Sequence, residues 1–376
     1  MERGLVSVVL VTWNSARYLR RCLEGIWQQT HRSVELLAVD NASSDESVQL
    51  VAPHAATLIR NETNRGFSAA VNQAIAVARG EFVLLLNPDC HLLPEYIARL
   101  VEAMQTSDDI GSATGLLMRA RGYDIEPTEE IDSAGMRMTR NGRHLDITRC
   151  HPERSRGIPR EQATTASVAG DPSTPLGMTW GARAGVILSE AKDLPARHGE
   201  GPSPSSRLRM TPGQPFEVFG VSGAAGMFRM SFLRDAAIDG EIFDEDFFAY
   251  REDADLAWRG RLFGWQAICE PRAIAYHVRR VTPDARRELP AEINMHSVKN
   301  RFLLRLKNQG AYLALRNLPF ELVRDLIVIF AALAVERSSL PAFTWLWRNR
   351  ARIRAKRRAI QQRRKVSDRA LARWFR

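Results

Sequence analysis

Residues Val6–Thr12, with the sequence VSVVLVT, decide the fold class. The run has the length of a strand and is almost wholly β-branched or aliphatic, which is typical of a strand buried on both faces. The residues after it carry apolar side chains at helical spacing, namely Leu19, Cys22, Leu23 and Ile26. A buried strand followed by an amphipathic helix predicts a parallel sheet that is covered by helices.

The same alternation continues outward through the first 120 residues. Further strands are predicted at Glu35–Asp40, Ala56–Ile59 and Phe82–Leu86, and further helices at Phe67–Ala78 and Pro94–Met104. This order of elements predicts an α/β fold in which helices flank a mostly parallel sheet.

Clusters of polar residues end three of the predicted strands. They are Thr12-Trp13-Asn14, Asp40-Asn41 and Asn87-Pro88-Asp89. In open α/β sheets, ligands bind outside the carboxyl ends of the strands. We therefore expect the three clusters to converge on one binding edge.

The order of elements breaks down between residues 147 and 213. Nine of the 18 prolines lie between Pro152 and Pro215, and hydrophobic periodicity disappears. Two phrases in this stretch, CHPERSRGI and VILSEAKDL, can be read from closely similar DNA in different frames, so we hypothesise a translated palindromic DNA repeat in two inverted units. The alternative is an ordinary long flexible loop, and under either hypothesis we expect disorder and no chemistry there.

Regular patterns return after residue 214. A strand is predicted at Phe216–Val221, a turn of small residues at Ser222–Gly226 and a helix at Glu252–Phe263. From Asn294 onward the pattern is helical, with Pro319 as a predicted break.

Composition excludes several classes of protein. The chain has 376 residues, of which 45% are hydrophobic and 26% charged, so it is neither collagen-like, fully disordered nor a coiled coil. The four cysteines lie far apart without a CxxC pair, which argues against a disulfide scaffold or a cysteine zinc site and favours a reducing cytosol. The N-terminus lacks the basic start and cleavage site of a signal peptide, and the apolar run Leu326–Val335 has about half the residues that span a bilayer.

The net charge of +10 belongs to the C-terminal tail. Residues 345–376 contain 13 Lys and Arg against one acid, whereas residues 1–344 contain 40 basic and 42 acidic residues. A cationic amphipathic helix in this tail suits an anionic membrane surface. Its apolar residues are Trp345, Leu346, Trp347, Ile353, Trp374 and Phe375. A solvated helix is the alternative, and nucleic acid is not expected as a partner because no recognised binding module accompanies the charge.

Six phrases of the sequence occur in the order found in glycosyltransferase family 2. They are VSVVLVTWNSARYLRRCLEGIWQQT, ELLAVDNASSDES, NRGFSAAVNQA, FVLLLNPDC, FDEDFFAYREDADLAWR and GW…P…A…H. The chain resembles this family, and most closely its bacterial rhamnosyltransferase-like branch, over about residues 5–145 and 216–310. The resemblance implies a GT-A fold, a nucleotide-sugar donor, a divalent metal cofactor (Mn²⁺ or Mg²⁺) and an inverting mechanism.

The resemblance also implies a division of the chain. Residues 1–120 would form the nucleotide-sugar-binding half, and residues 121–146 and 214–293 the acceptor and catalytic half. Residues 147–213 would be the disordered insertion, and residues 294–376 a helical basic C-terminal region.

By resemblance, the phrase Asn87-Pro88-Asp89 occupies the metal motif of the family, with an amide in place of the usual first carboxylate. Asp89 would bind the metal, Asn87 would contact the donor, and His277 would reach the metal or the diphosphate. A cation shared by carboxylates and phosphate oxygens would stabilise the charge of the leaving diphosphate. The alternative for His277 is a structural role.

The donor pocket implied by the resemblance is lined by Thr12, Asn14, Asp40 and Asp45. Arg65 would join it, because Gly66 permits close backbone approach and the following helix N-terminus favours phosphate. The alternatives are an N-cap role for Asp45 and a solvated surface position for Arg65.

Inverting transfer needs a carboxylate that takes the proton of the acceptor hydroxyl as its oxygen attacks the anomeric carbon. By resemblance, the base lies in the pair Glu252-Asp253 at a helix start. We choose Asp253 as the catalytic base, with Glu252 as the alternative, and expect partial burial to tune its pKa. Two acids at this position could instead only complement the helix dipole.

The combined prediction is an inverting glycosyltransferase with dTDP-rhamnose as the expected donor. The acceptor would be a glycan or a lipid-linked molecule in cell-surface polysaccharide synthesis, so we expect a cytoplasmic protein, peripheral on the inner face of the plasma membrane. An oligomer is compatible with the sequence. One alternative is a degenerate, non-catalytic relative disrupted by the 147–213 insertion. A nucleotidyltransferase would need a Gly-rich basic loop after the first strand, which VTWNSARY lacks.

Overall fold

The computed structural model describes residues 1–148, 213–279 and 291–376. The predicted disordered insertion, with its possible origin as a DNA repeat, therefore lies almost wholly outside the described residues.

The first hundred residues alternate strands and helices as predicted. The elements are β1 (Glu2–Thr12), α1 (Ala16–Trp27), β2 (Val34–Asp40), α2 (Ser47–Val51), β3 (Thr57–Arg60), α3 (Phe67–Val77), β4 (Gly80–Leu86), β5 (Cys90–Leu92) and α4 (Tyr96–Met104). The predicted apolar face of α1 is confirmed, since Leu19, Cys22, Leu23 and Ile26 are all buried in the core.

The next part of the chain is richer in strands than the sequence indicates. It contains β6 (Ile110–Arg121), β7 (Glu126–Ser133), β8 (Met136–Met138), β9 (His144–Asp146), β10 (Phe216–Glu217), β11 (Ala225–Arg229), α5 (Met230–Ala236), a short 3-10 helix (Glu245–Phe247), α6 (Glu252–Phe263) and β12 (Gln266–His277).

The described residues form one ten-stranded sheet, which confirms the α/β class. Its main order is β10-β12-β6-β11-β4-β1-β2-β3, with β5 paired to β12 and β7 paired to β6. The part β4-β1-β2-β3 is parallel, as predicted. The whole sheet is mixed rather than mostly parallel, because β11 runs antiparallel to both β4 and β6.

Strand β11 overlaps a stretch that the sequence predicts as a turn of small residues. The small side chains are needed because the backbone is crowded: a Cβ on Gly226 would lie 2.7 Å from the carbonyl oxygen of Ser222. The same glycine and alanine residues that indicate a turn therefore allow a central strand.

The C-terminal region is helical, as predicted. It contains α7 (Ala291–Asn308), α8 (Ala311–Ala334), a 3-10 turn (Arg337–Ser339), α9 (Pro341–Arg348), α10 (Arg350–Gln362), α11 (Asp368–Leu371) and a last 3-10 turn (Ala372–Trp374). The predicted break at Pro319 is wrong, because α8 continues through this residue. Among the described residues, no helix combines the length and the apolar character needed to cross a membrane.

Several apolar residues of the basic tail pack into the folded core. Ile353 and Phe375, which the sequence assigns to a membrane-facing surface, are buried at 4% and 0% exposure. The Phe375 ring packs against Phe219 and Trp258. The expectation of a single lipid-facing apolar surface on this tail is therefore wrong for these two residues.

A buried ionic network joins the tail to the acidic stretch before α6. Lys307 contacts the carboxylates of Asp244 and Asp255, and Lys356 Nζ lies 2.6 Å from Asp244 Oδ1 and 3.0 Å from Asp246 Oδ2. Burial raises the pKa of Asp244, but the two lysine charges outweigh it and hold this pKa well below its usual value. Part of the tail's positive charge is thus neutralised inside the protein.

Candidate functional site

Thr12 and Asp40 lie side by side at the carboxyl edge of the sheet, as the strand pattern predicts. They are register partners at the ends of β1 and β2, and Thr12 Oγ1 donates to Asp40 Oδ1 at 3.0 Å. The backbone N–H of Ser43 donates to Asp40 Oδ2 at 3.0 Å. These contacts hold the buried Asp40 carboxylate at the carboxyl edge of the sheet, where ligands of open α/β sheets bind.

Asn14 and Asp45 organise the two loops beside this carboxylate. Asn14 has a left-handed backbone with φ of 49°, and its Oδ1 accepts a hydrogen bond from Ser44 N at 2.8 Å. Asp45 Oδ2 accepts from Ala16 N at the start of α1, and Asp45 Oδ1 accepts from Ser47 N, both at 3.0 Å. Burial raises the pKa of Asp45, but these hydrogen bonds outweigh it and lower the pKa. The contacts match the capping alternative for Asp45.

The loop before α3 does not present its N–H groups to a phosphate, contrary to the expectation. Arg65 is exposed, and Gly66 has φ of 83°. The N–H groups of Phe67 and Ser68 donate to the carbonyl oxygen of Phe248, at 2.6 and 3.3 Å. The close backbone approach that Gly66 permits is therefore an approach to Phe248, which ties this helix to the segment before α6.

Asp89 and His277 meet at the end of β4, as the resemblance implies. The N–H of Val278 donates to the carbonyl oxygen of Asp89 at 3.0 Å, and this contact brings the end of β12 to the metal motif. Asp89 Oδ1 lies 3.7 Å from His277 Nε2. Both side chains are largely buried.

His277 is oriented by a residue that sequence reasoning missed. Asp132, in β7, is fully buried, and its Oδ2 lies 2.8 Å from His277 Nδ1. Arg279 Nε donates to Asp132 Oδ1 at 2.8 Å. Burial raises the pKa of Asp132, but His277 and Arg279 outweigh it and lower the pKa to about 2.

A charged Asp132 can only accept hydrogen bonds, so His277 Nδ1 carries the proton that it donates. In a neutral imidazole this leaves the lone pair on Nε2, directed toward Asp89. A carboxylate behind a histidine fixes the tautomer in the same way in many metal sites. No motif marks Asp132, because it lies in the acidic phrase EPTEEIDS, whose other acids are all exposed.

The pair fits a divalent cation. The 3.7 Å between Asp89 Oδ1 and His277 Nε2 is too long for a hydrogen bond. It suits two ligands of one ion at about 2.1 Å each, and it leaves the other coordination positions for phosphate oxygens and water. Cys90 also lies within reach of both groups. Burial and the Asp89 charge raise the pKa of its thiol well above the usual value, which favours the neutral thiol.

Asn87 is held beside this pair through its backbone. Its N–H donates to the carbonyl oxygen of Ala224 at 2.8 Å. The next residue back, Gly223, donates its N–H to Asp253 Oδ2 at 3.2 Å. The two residues before β11 therefore connect the metal motif directly to the predicted catalytic base.

The pair Glu252-Asp253 begins α6, as predicted. Burial and the neighbouring Asp253 charge raise the pKa of Glu252 well above its usual value. Burial also raises the pKa of Asp253, although the N–H groups of Gly223 and Ala254 favour its charged form. Burial therefore makes Asp253 more basic than an ordinary aspartate, as the predicted role of general base requires.

The α/β fold places the predicted donor and metal residues at the carboxyl edge of the sheet, as the resemblance to a glycosyltransferase implies. Residues 7–143 match the family model described as glycosyl transferase family 2. Residues 7–143 therefore form a family 2 glycosyltransferase domain, and the predicted family is confirmed for this part of the chain, while the rhamnosyltransferase branch stays a prediction.

Two relatives and one solved structure illustrate the similarity. The uncharacterized glycosyltransferase alr2836 of Nostoc sp. is 36% identical over 112 residues, which cover 28% of this chain and 34% of that protein. A chondroitin synthase of Escherichia coli is 24% identical over 144 residues, or 35% of this chain and 21% of that protein. The structure of GalNAc-T7 with UDP, GalNAc and Mn²⁺ matches with a TM-score of 0.54 at 14% identity, over 81% of this chain and 48% of that one.

The last match is a likeness of fold, and it confirms the predicted GT-A architecture. The chain spans about a third of the length of the curated relatives it matches.

Proposed function

We propose that the protein is an inverting glycosyltransferase that moves a sugar from a nucleotide donor to an acceptor hydroxyl. The observation that carries this proposal is the juxtaposition around the loop before β11. On one side Ala224 holds the metal motif through Asn87, and on the other Gly223 holds the carboxylate of Asp253. The proposed metal motif and the proposed base, whose pKa is raised, are thus both tied to adjacent residues of this loop.

Asp253 takes the proton of the acceptor hydroxyl. As that proton leaves, the acceptor oxygen forms a bond to the anomeric carbon, the bond from this carbon to the diphosphate oxygen breaks, and the diphosphate leaves from the opposite face. Burial and the Asp253 charge raise the pKa of Glu252, which favours its protonated form and so disfavours a second negative charge next to the base.

Asp89 and His277 would hold the divalent cation, and Asp132 would keep His277 Nε2 directed toward it. When bound, a cation of this kind stabilises the negative charge of the leaving diphosphate. Asp40 and Thr12 would bind the base or ribose of the donor at the neighbouring strand ends, with Asn14 and Asn87 beside them. Arg65, which is exposed, would contact the donor only at the rim.

We further propose dTDP-rhamnose as the donor and a glycan or lipid-linked acceptor in cell-surface polysaccharide synthesis. The donor rests on the resemblance to the rhamnosyltransferase-like branch. The similarity to a chondroitin synthase supports a polysaccharide product, and the complex of GalNAc-T7 with UDP and Mn²⁺ supports a metal-assisted nucleotide donor. A lipid-linked acceptor would place the protein on the cytoplasmic face of the plasma membrane.

Thermal stabilisation by dTDP-, UDP- and GDP-sugars, each with and without Mn²⁺, tests the donor site. We expect a metal-dependent rise in melting temperature with one base, and we expect Asp89→Ala to abolish it. Glu81→Ala is the matched control, because Glu81 lies near the start of β4, whereas Asp89 follows the end of this strand. A cooperative melt without a shift for any donor would favour the degenerate, non-catalytic alternative.

Transfer itself is tested with Asp253→Asn. We expect kcat to fall by about 10²–10⁴-fold, because general base catalysis is lost, while donor affinity stays unchanged. If Glu252→Gln lost kcat to this extent and Asp253→Asn kept its activity, Glu252 would be the catalytic base instead of Asp253.

A further inference from the structure

Helix α8 exposes its apolar residues and buries polar ones, which is the reverse of an ordinary surface helix. Leu315 is 75% exposed, Val323 61% and Phe330 70%, whereas Asn317 and Glu321 are buried. Other exposed apolar residues of this helix and the residue after it are Leu318, Phe320, Leu322, Leu326, Ile327, Leu333 and Val335. Soluble proteins rarely expose so large a contiguous apolar surface without a partner for it.

The polar stripe of α8 is what attaches it to the protein. Glu321 Oε2 lies 3.2 Å from Arg305 Nη1 in α7, and Glu321 Oε1 accepts from Gln309 at 2.7 Å. Asp325 Oδ2 lies 2.5 Å from Arg305 Nη2. Both acids of the helix therefore turn inward, beside the buried Leu313 and Ala332, and the exposed apolar side chains point away from the described residues.

The exposed charged side chains of α8 and of the segment that follows it are positive. Between residues 311 and 350 the charged side chains with high exposure are Arg337, Arg348 and Arg350. Trp347 is 69% exposed, and the Arg350 guanidinium lies 4.5 Å from the centre of its ring. Glu336, the third acid of the segment, accepts a hydrogen bond from Ser339.

We propose that the outer face of α8, with the Trp347–Arg350 corner, docks on an anionic lipid leaflet. A helix of 24 residues is about 36 Å long, and one side of it is packed on α7, so it would lie in the plane of the interface. Exposed leucines and phenylalanines enter the acyl boundary, the tryptophan sits at headgroup depth, and the arginines meet anionic headgroups. This assigns the membrane-facing surface to α8 and to the exposed start of the tail at Trp347–Arg350, rather than to Ile353 and Phe375, which are buried.

The docked face leads directly to the catalytic helix. Arg305 joins α8 to α7, and further along α7 the side chain of Asn308 donates to Asp255 Oδ1 in α6 at 2.6 Å. Glu252 and Asp253 begin that same α6. Docking through α8 would therefore hold the predicted base in a defined relation to the lipid surface.

Flotation of the full-length protein with vesicles tests the proposal, without donor or metal present. Vesicles contain phosphatidylcholine alone or with phosphatidylglycerol. The wild type should float with the anionic vesicles, and Leu326→Glu/Phe330→Glu should lower its partition coefficient by at least about tenfold, because two inserted apolar groups are lost. Val77→Glu is the matched control, an exposed apolar residue at the end of α3, and it should change partitioning by less than about twofold.

Two further arms keep the outcome decisive. Arg348→Gln/Arg350→Gln should weaken binding to anionic vesicles and leave the weaker binding to phosphatidylcholine unchanged, and a cooperative melt verifies that each variant is folded. Equal flotation of wild type and the double glutamate variant would overturn the proposal. So would a wild-type dimer that ignores vesicles and dissociates in that variant, because α8 would then be an interface between two copies. Vesicle binding is measured without donor or metal, so a failure of the docking proposal can be distinguished from a failure of the proposed transferase function, which donor binding tests.

Discussion

Replacing Asp132 by asparagine should weaken metal binding without removing either proposed ligand. Asp132 accepts hydrogen bonds from both His277 and Arg279, each at 2.8 Å. An asparagine of the same shape has one acceptor oxygen and one NH₂ group. If the oxygen serves Arg279, the NH₂ group faces His277 Nδ1, which must then become an acceptor. The imidazole proton moves to Nε2, where it opposes a cation.

The size of the effect follows from this change of tautomer. Removing the partner behind a metal-bound histidine typically costs 10–100-fold in metal affinity, which is about 1.4–2.7 kcal/mol. The protein should remain folded, because Arg279 keeps its contact with Asp146 Oδ2 at 2.6 Å. The buried variant side chain also carries no unpaired charge.

Titration with Mn²⁺, read by the loss of the free-ion electron paramagnetic resonance signal, measures the affinity directly. Glu130→Gln makes the same chemical change on the same strand, and Glu130 is exposed, so its Mn²⁺ affinity should match that of the wild type. An Asp132→Asn protein that melts cooperatively and binds Mn²⁺ within about twofold of the wild type would refute the role given to His277.

Three further predictions concern the network, the α3 loop and the base. Lys307→Met should lower the free energy of unfolding in urea by about 3–5 kcal/mol, because it leaves the buried carboxylates of Asp244 and Asp255 without this positive charge. Lys365→Met, at an exposed site, should change the free energy of unfolding by less than about 0.5 kcal/mol. Gly66→Ala should destabilise the protein more than Gly240→Ala, because both have φ near 80° but only the first Cβ would meet other atoms, and equal melting temperatures would contradict this. The transfer rate should rise with pH through a pKa above that of an ordinary aspartate and then level off, since Asp253 must be ionised and burial raises its pKa; an acid limb at or below pH 4 would contradict the assignment.

The sequence predicts best what is decided locally. The buried strands β1, β2 and β4 are continuous apolar runs, so their positions and the convergence of Thr12, Asp40 and Asn87 follow from patterning and from the parallel arrangement. Strand β11 could not be recognised, because glycine and alanine are poor strand formers and their use there depends on crowding from Ser222.

Asp132 shows the second limit of sequence reasoning. Nothing in its neighbourhood distinguishes it from the other acids of β7, and it is buried only because β7 pairs with β6 beside the end of β12. Its function depends on a histidine 145 positions away in the chain. The role of a residue that orients another side chain depends on where that side chain lies, and only the folded structure shows this position.

The basic tail shows how charge counted along a sequence can mislead about a surface. Residues 345–376 hold all the excess positive charge, yet Lys356 is buried against Asp244 and Asp246. Each such pair removes a cation from the surface that could meet an anionic partner. The apolar residues of α8 give the opposite case, because their helical pattern resembles that of a core helix while the structure leaves them outside. Burial, rather than composition, therefore decides which segment of this chain can face a membrane.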